Sequence, residues 1–350
     1  MERERVRGPE ARPTFESHYE NMRKSQEEVL EEDKKQWDKA VTKASTLKMA
    51  YSAKRGARVA MMTGMFAEVK SKPLDGRVAQ ILPGSHTSTH KHSYETMMFI
   101  TEGMGYSIVG GNRHNWAERD CLYIPPNVWH QHWNRDAEKP AGYLSITDAP
   151  LVQCLRRLEM EDIGDAPEHP EEQAEETYYE QELAEAQEIL NDRADTPIIR
   201  KWRTVNLTLN ERGAKSSYII DPNMFKTGGI DMAMNMLPPG GYMMSHRHGG
   251  GALIYIVEGK GYTLIDGVKH EWEKGDLIWI SHWCWHQHFN RDLENPAVYV
   301  RNSEAVWALR NLMAPLVGAA AEHGNDGPDP LGIVWPEEGE HAHDHPGGAD

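Results

Sequence analysis

Two blocks of the chain carry short apolar runs punctuated by glycine and polar residues. MMFITEGMGYSIVGGNRHNW (97–116) and LIYIVEGKGYTLIDGVKHEW (253–272) each read as strand, glycine-containing turn, strand, turn, strand. The Asp-Gly pair in the second block is a hairpin signal. Helical periodicity is absent from both, so the pattern predicts antiparallel β-structure closed as a sandwich or barrel. The blocks belong to one internal repeat. Residues 83–143 align with 239–299 at a constant offset (239 − 83 = 156) without a gap. About two in five positions are then identical, Gly103/Gly259, Tyr106/Tyr262, Trp116/Trp272 and Asp120/Asp276 among them, which predicts two copies of one fold.

Outside the repeats the pattern changes. Residues 15–50 are highly charged, and Tyr19, Met22, Val29, Trp37 and Val41 fall at helix-like intervals. Residues 159–195 are strongly acidic and rich in helix formers. APLVQCLRRLEM after the first copy and SEAVWALRNLMAPLVG after the second also read as helices. The organisation expected is a charged helical segment over 1–55, a barrel over 56–147, a helix with acidic connector over 148–197, a second barrel over 198–301, a helix over 302–320 and a disordered, Gly/Pro/Asp/His-rich tail over 321–350.

A length of 350 residues suffices for two such cores, and the net charge of −16 argues against nucleic acid and anionic membrane as partners. No apolar run approaches the roughly 20 residues that span a bilayer. The charged opening MERERVRGPEARP lacks a secretory core, and Cys121, Cys154 and Cys284 cannot all pair. A cytoplasmic protein with reduced thiols is expected.

Histidines supply the candidate chemistry. Each copy carries an H-x-H pair and a third histidine 38 residues after the second: His90, His92 and His130 (130 − 92 = 38), then His246, His248 and His286 (286 − 248 = 38). Two histidines two apart on a strand share a face, and a later strand of the same barrel can deliver the third. Three imidazoles on one face suit Fe, Zn, Cu or Ni and leave coordination positions open, the mark of a catalytic rather than structural site.

The pattern Gly84-x5-His90-x-His92, Gly103, Asp120, Pro125, His130-x3-Asn134, repeated through Gly240, His246, His248, Gly259, Gly275-Asp276, His286 and Asn290, resembles the two-part signature of the cupin superfamily. Two copies imply an all-β bicupin, two double-stranded β-helix (jelly-roll) barrels. Arg119 departs from the pattern where the second copy has Gly275, and Ser281-His282 replaces Pro125-Pro126. Cupins generally add a glutamate ligand four residues after the second histidine. Those positions hold Thr96 and Ala252, while Glu95 stands one place earlier and by strand parity faces away. Parity therefore favours two sites of three neutral histidines.

Such a ligand set, together with LIYIVEGKGYTLIDG and WHQHWNRD, is similar to the bicupin gentisate 1,2-dioxygenase family. The resemblance implies Fe(II), one per barrel or one in the N-terminal barrel, O2 as co-substrate, cleavage of a hydroxylated or aminated aromatic acid, and a homodimer or homotetramer. Other three-histidine cupin chemistry (diketone cleavage, a metal-dependent lyase or isomerase) and a non-catalytic ligand-binding bicupin remain alternatives. His132 and His288, two residues beyond the third ligand, share its face and either contact substrate or support the ligands. Tyr106 shares the parity of the ligand strands and donates to substrate or sits satisfied in the core. Trp116 lines an aromatic pocket or packs the barrel. Arg77 is the candidate grip for a substrate carboxylate. Gln80 and Thr96 align with Met236 and Ala252, so the first pocket is expected to be the more polar and catalytic one, the second the more apolar.

Overall fold

The computed structural model describes residues 20–25, 28, 31, 39–65, 67–166, 198–303 and 322–323. Residues 20–25 are helical. The described residues from Lys39 onward form one compact unit.

Nine strands build the first barrel: β1 Ala57–Thr63, β2 Asp75–Ile81, β3 His90–His92, β4 Thr96–Glu102, β5 Met104–Val109, β6 Asn112–Ala117, β7 Cys121–Ile124, β8 His130–Asn134 and β9 Ala141–Thr147. Nine more repeat it: β10 Lys215–Ile220, β11 Asp231–Leu237, β12 His246–Arg247, β13 Ala252–Glu258, β14 Lys260–Ile265, β15 Val268–Glu273, β16 Leu277–Ile280, β17 His286–Asn290 and β18 Ala297–Ser303. Each barrel is a long sheet against a short one. In the first, β7-β4-β9-β2-β1 faces β3-β8-β5-β6; in the second, β16-β13-β18-β11-β10 faces β15-β14-β17-β12. The architecture is thus nearly all β, two barrels in tandem.

Short flanking strands lengthen these sheets, and two of them cross between barrels. Val41–Thr42 pairs with β16 of the second barrel, and Ile199–Arg200 pairs with β7 of the first. Behind each arm a lysine and a backbone N–H hold the aspartate shared by both repeats. Lys43 Nζ and the Ala44 N–H bond the two carboxylate oxygens of Asp276, both at 2.8 Å. Lys201 Nζ and the Trp202 N–H bond those of Asp120 at 3.2 and 2.8 Å. Asp120 and Asp276 are therefore clasps for an exchanged arm.

Several expected boundaries shift accordingly. The segment before the first barrel is not helical throughout, because Val41–Thr42 and Ala50–Ser52 are strands. The domain expected over 198–301 gives its first strand to the neighbouring barrel. The helix expected over 149–160 is the single short α1, Ala149–Cys154, after which Met160–Asp162 pairs with β3. Glu322–His323, in the tail expected to be disordered, pairs with β12. Of the helix expected over 302–320, the first two residues belong to β18, and its remainder, the acidic connector beyond residue 166 and the rest of the tail lie outside the described residues.

Burial explains the apolar runs. Residues of β4 alternate between two interiors: Met98 and Ile100 point into their own barrel, Met97 and Phe99 into a core shared with the second. That shared core joins Met97, Phe99, Tyr123, Leu144 and Ile146 to Met232, Met234, Leu253, Tyr255 and Val300. A strand buried on both faces loses its polar alternation, which is why β4 and β13 read as continuous apolar runs.

Candidate metal centres

Strand pairing brings each histidine set together. His90 and His92 project from β3, and His130 at the start of β8 lies directly opposite His90. His246 on β12 faces His286 on β17 in the same way. Within each set the ligand nitrogens lie within 4.8 Å of one another.

The backbone fixes which nitrogen faces inward. Nδ1 donates to a carbonyl two residues away in every case: His90 to Ser88 (2.8 Å), His92 to Tyr94 (2.7 Å), His130 to Val128 (2.8 Å), His246 to Met244 (2.9 Å), His248 to Gly250 (2.5 Å) and His286 to Cys284 (3.0 Å). A carbonyl only accepts, so Nδ1 carries the hydrogen and Nε2 presents its lone pair. Burial disfavours the imidazolium form and lowers the histidine pKa values, to about 3 at His92 and about 4 at His130 and His248. Six neutral imidazoles with inward lone pairs fit a divalent transition ion in each barrel.

The near-miss glutamate is used elsewhere. Glu95 is 4% exposed, and its carboxylate accepts bonds from Tyr123 Oη (2.5 Å) and from the N–H groups of Gly228, Gly229 and Ile230 (2.6, 2.7 and 3.3 Å) in the second barrel. It shares the outward parity of Met97 and Phe99 and pins one barrel to the other. Thr96 takes the inward parity, its Oγ1 3.5 Å from His92 Nε2. Both sites thus present three histidines without a carboxylate.

A cavity of about 180 Å³ opens over the first triad, lined by Thr96, His132, Arg55, Arg77, Tyr143 and Ser145, with Val59, Met61, Ala79 and Met98 as an apolar wall. Burial and the adjacent Arg77 guanidinium lower the pKa of Arg55, so the pair favours an anionic partner. Asp162 lies 3.6 Å from Arg55 and offsets part of that charge.

Three sequence-stated candidates stand outside this cavity. Gln80 lies on the opposite face of β2 from Arg77 and Ala79 and donates to Glu102 at 2.8 Å. Tyr106 pairs across the ladder with Trp133, whereas Ser107 pairs with His132, so Tyr106 has the parity opposite to that expected. Its ring stacks on Trp133 at 5.7 Å under the Arg113 guanidinium. Trp116 is buried and reaches the site through a second residue. Its Nε1 donates to Ser107 Oγ (2.9 Å), which lies 2.7 Å from His132 Nδ1. The hydroxyl accepts from the indole and gives its own hydrogen to His132, leaving the His132 Nε2–H for the cavity. Trp272, Thr263 and His288 repeat the relay at 3.0 and 2.8 Å. Gly105 and Gly261 make it possible, because a Cβ there would lie 2.4 Å from the indole ring and 2.0 Å from a facing carbonyl.

The pocket over the second triad is larger, about 530 Å³, and carries Arg212, Arg301, Asn210, Asn235, Ser216 and Tyr218 as well as His288. The expectation of a more apolar second pocket is therefore wrong. It compared Gln80 with Met236, which both face away from the cavities, and missed the pair Ala79 and Asn235, which face in. Arg55, Ser145, Arg212 and Arg301 were missed as well. Arg55 and Arg212 precede the repeat and match only at an offset of 157 (212 − 55), one more than the repeat's, while Ser145 and Arg301 follow it and align as unlike residues, so the ungapped alignment flagged none of them.

Two antiparallel barrels, each with an H-x-H pair and a distant third histidine on its inner face, define a bicupin. The family described as Cupin domain matches residues 77–147 and 233–301, so each barrel carries one cupin domain. It is 25% identical over 229 residues to the 5-aminosalicylate 1,2-dioxygenase of Comamonas sp, covering 60% of each chain. It is 25% identical over 220 residues to the 1-hydroxy-2-naphthoate 1,2-dioxygenase of Nocardioides sp. (strain KP7), covering 58% of this chain and 56% of that one. The matched part thus spans under two thirds of these relatives. The salicylate 1,2-dioxygenase of Pseudoaminobacter salicylatoxidans shares the fold, with a TM-score of 0.58 at 16% identity over 81% of this chain and 84% of that one. Among the described residues no helix is long and apolar enough to cross a membrane.

Proposed function

We propose that the protein is a non-haem Fe(II), O2-dependent dioxygenase that cleaves the ring of a hydroxylated or aminated aromatic acid of the salicylate or gentisate type. The observation that carries this reading is a three-histidine centre without a carboxylate, set beside the Arg55–Arg77 pair in one cavity. His90, His92 and His130 would hold the iron, which when bound would supply open positions for a chelating substrate and for activation of O2.

The chain's own groups do the rest. Neutral imidazoles leave the full charge of the ion to attract a dianion. Arg55 and Arg77 bind the carboxylate and set the ring's orientation. Val59, Met61, Ala79 and Met98 pack the ring and exclude water. His132, held by Ser107, keeps an Nε2–H in the cavity wall, where it can donate to a substrate oxygen. The relatives named as acting on 5-aminosalicylate and 1-hydroxy-2-naphthoate support this substrate class. A homodimer or homotetramer is expected from the resemblance, and light scattering tests it.

The test is an oxygen electrode. Iron-loaded protein should consume one O2 per ring opened with a member of a salicylate, gentisate and aminosalicylate panel. Absence of uptake across that panel removes the reading.

A further inference from the structure

The two pockets share a plan but not a surface. Arg55 and Arg212 stand at matching places before the first strand of each barrel. The second arginine has changed strands. In the first barrel Arg77 on β2 lies opposite Ser145 on β9; in the second, the aligned cross-strand pair is Ala233 on β11 and Arg301 on β18. A guanidinium placed from either member of a cross-strand pair enters the same side of the barrel. Each barrel thus keeps two arginines over its three histidines, although no single position carries the second arginine in both copies.

Around that constant pair the walls differ. By ladder register, Val59 opposite Ala79 becomes Ser216 opposite Asn235, and Met61 becomes Tyr218. The apolar wall is replaced by hydroxyls and an amide, in a pocket of about 530 rather than 180 Å³. Two buried atoms of this wall, Tyr299 Oη and Arg301 Nε, have no hydrogen-bond partner among the described residues. Buried polar groups are paired as a rule, so both point to a ligand that supplies the partner.

We propose that the second barrel is a ligand site in its own right, in which Arg212 and Arg301 bind the carboxylate of an acid bulkier and more hydroxylated than the one the first barrel takes. The proposal rests on the carboxylate-binding part of the reading above and not on ring cleavage. Ser216 and Asn235, which stand where the first barrel has Val59 and Ala79, bind the additional hydroxyl groups.

Titration calorimetry on the zinc-loaded full chain tests it without oxygen chemistry. Salicylate fills the first barrel, and 2,4,6-trihydroxybenzoate is then added. The proposal expects about one further molecule bound per chain. Arg301→Met should weaken this second event about tenfold or more, because a charge-assisted pair is lost, while the salicylate isotherm is unchanged. The double variant Ala233→Arg/Arg301→Ser returns the arginine to the strand used in the first barrel, two residues from Asp231 as Arg77 is from Asp75. It should recover most of the affinity, which a merely structural arginine would not do. It also decides the matter if Arg301→Met fails to fold once Asp231 loses its arginine. Competition of both acids for one site, or unchanged binding in Arg301→Met, overturns the proposal. Two intact isotherms with no O2 uptake by iron-loaded protein would remove ring cleavage and leave this site standing.

Discussion

Replacing Glu95 separates an architectural carboxylate from a metal ligand. In Glu95→Ala, the N–H groups of Gly228, Gly229 and Ile230 and the hydroxyl of Tyr123 lose a buried charged acceptor. Hydrogen bonds to charged groups are worth about 1.5–3 kcal/mol each, but the four are not additive, and water entering the space left behind recovers part of the loss. Breaking a buried charged network costs roughly 3–5 kcal/mol, and that is the expected effect. For the roughly 240 described residues, 1 kcal/mol corresponds to about 2 °C, so the unfolding transition should fall by roughly 6–10 °C. Glu95→Gln keeps one acceptor and turns an amide donor toward a second N–H, so its loss should be smaller, about 1–2 kcal/mol. The measurements are calorimetric unfolding and metal content after loading. Both variants should hold as much metal per chain as the unaltered protein. The reasoning fails if Glu95→Ala loses metal from the first site while its unfolding temperature stays put, for then the carboxylate is a ligand and the inter-barrel clasp is incidental.

Other outcomes follow from the same geometry. His92→Ala should lower bound metal from two ions per chain to one, because the second triad is built entirely from its own barrel; elemental analysis reads this directly. Ser107→Ala frees His132 to take its other tautomer, and should reduce turnover by the iron-loaded protein roughly 10–100-fold with metal content unchanged. Metal-free protein should lose stability as pH falls from about 6.5 toward 4. Its triad histidines have depressed pKa values in the folded state, about 3 at His92 and about 4 at His130, so the unfolded chain binds more protons across that window; urea midpoints against pH test it. Asp148 has the opposite sign. Burial raises its pKa to about 6, with the Glu95 carboxylate adding to the shift, so the folded chain binds the extra proton and stability falls as pH rises from about 4 to 6. Asp148→Asn keeps an acceptor for the Glu95 N–H, and should be more stable than the parent by about 3 kcal/mol at pH 7 and close to it near pH 4.

Strand parity and repeat spacing determined a good deal by themselves. The 38-residue interval within each histidine set, repeated at an offset of 156, was enough to give two barrels and two convergent triads, because ligation to one ion demands a fixed register. Period-two alternation also placed Thr96 inward and Glu95 outward, since a strand offers a side chain only two faces. What parity cannot supply is what lies beyond each face. Glu95 points out of its own barrel into the neighbouring one, where the N–H groups of Gly228 and Gly229 wait 133 and 134 residues further along the chain. Tyr106 was misplaced because parity must be counted from a pairing, and only the ladder shows that Ser107, not Tyr106, stands beside His132. The exchanged arms at Val41–Thr42 and Ile199–Arg200 leave no local signature, since a two-residue strand takes its conformation from the sheet edge it joins. Arg77 was legible as a candidate carboxylate grip, but its equivalence to Arg301 was not, for the same reason. Arg77 and Arg301 align with an alanine and a serine, and they become equivalent only when β2 and β9, or β11 and β18, are laid side by side. Periodicity is a property of one strand, so it fixed which face each residue takes. Which strands meet, and therefore what each face meets, is fixed by pairing between distant segments, and that only the folded chain decided.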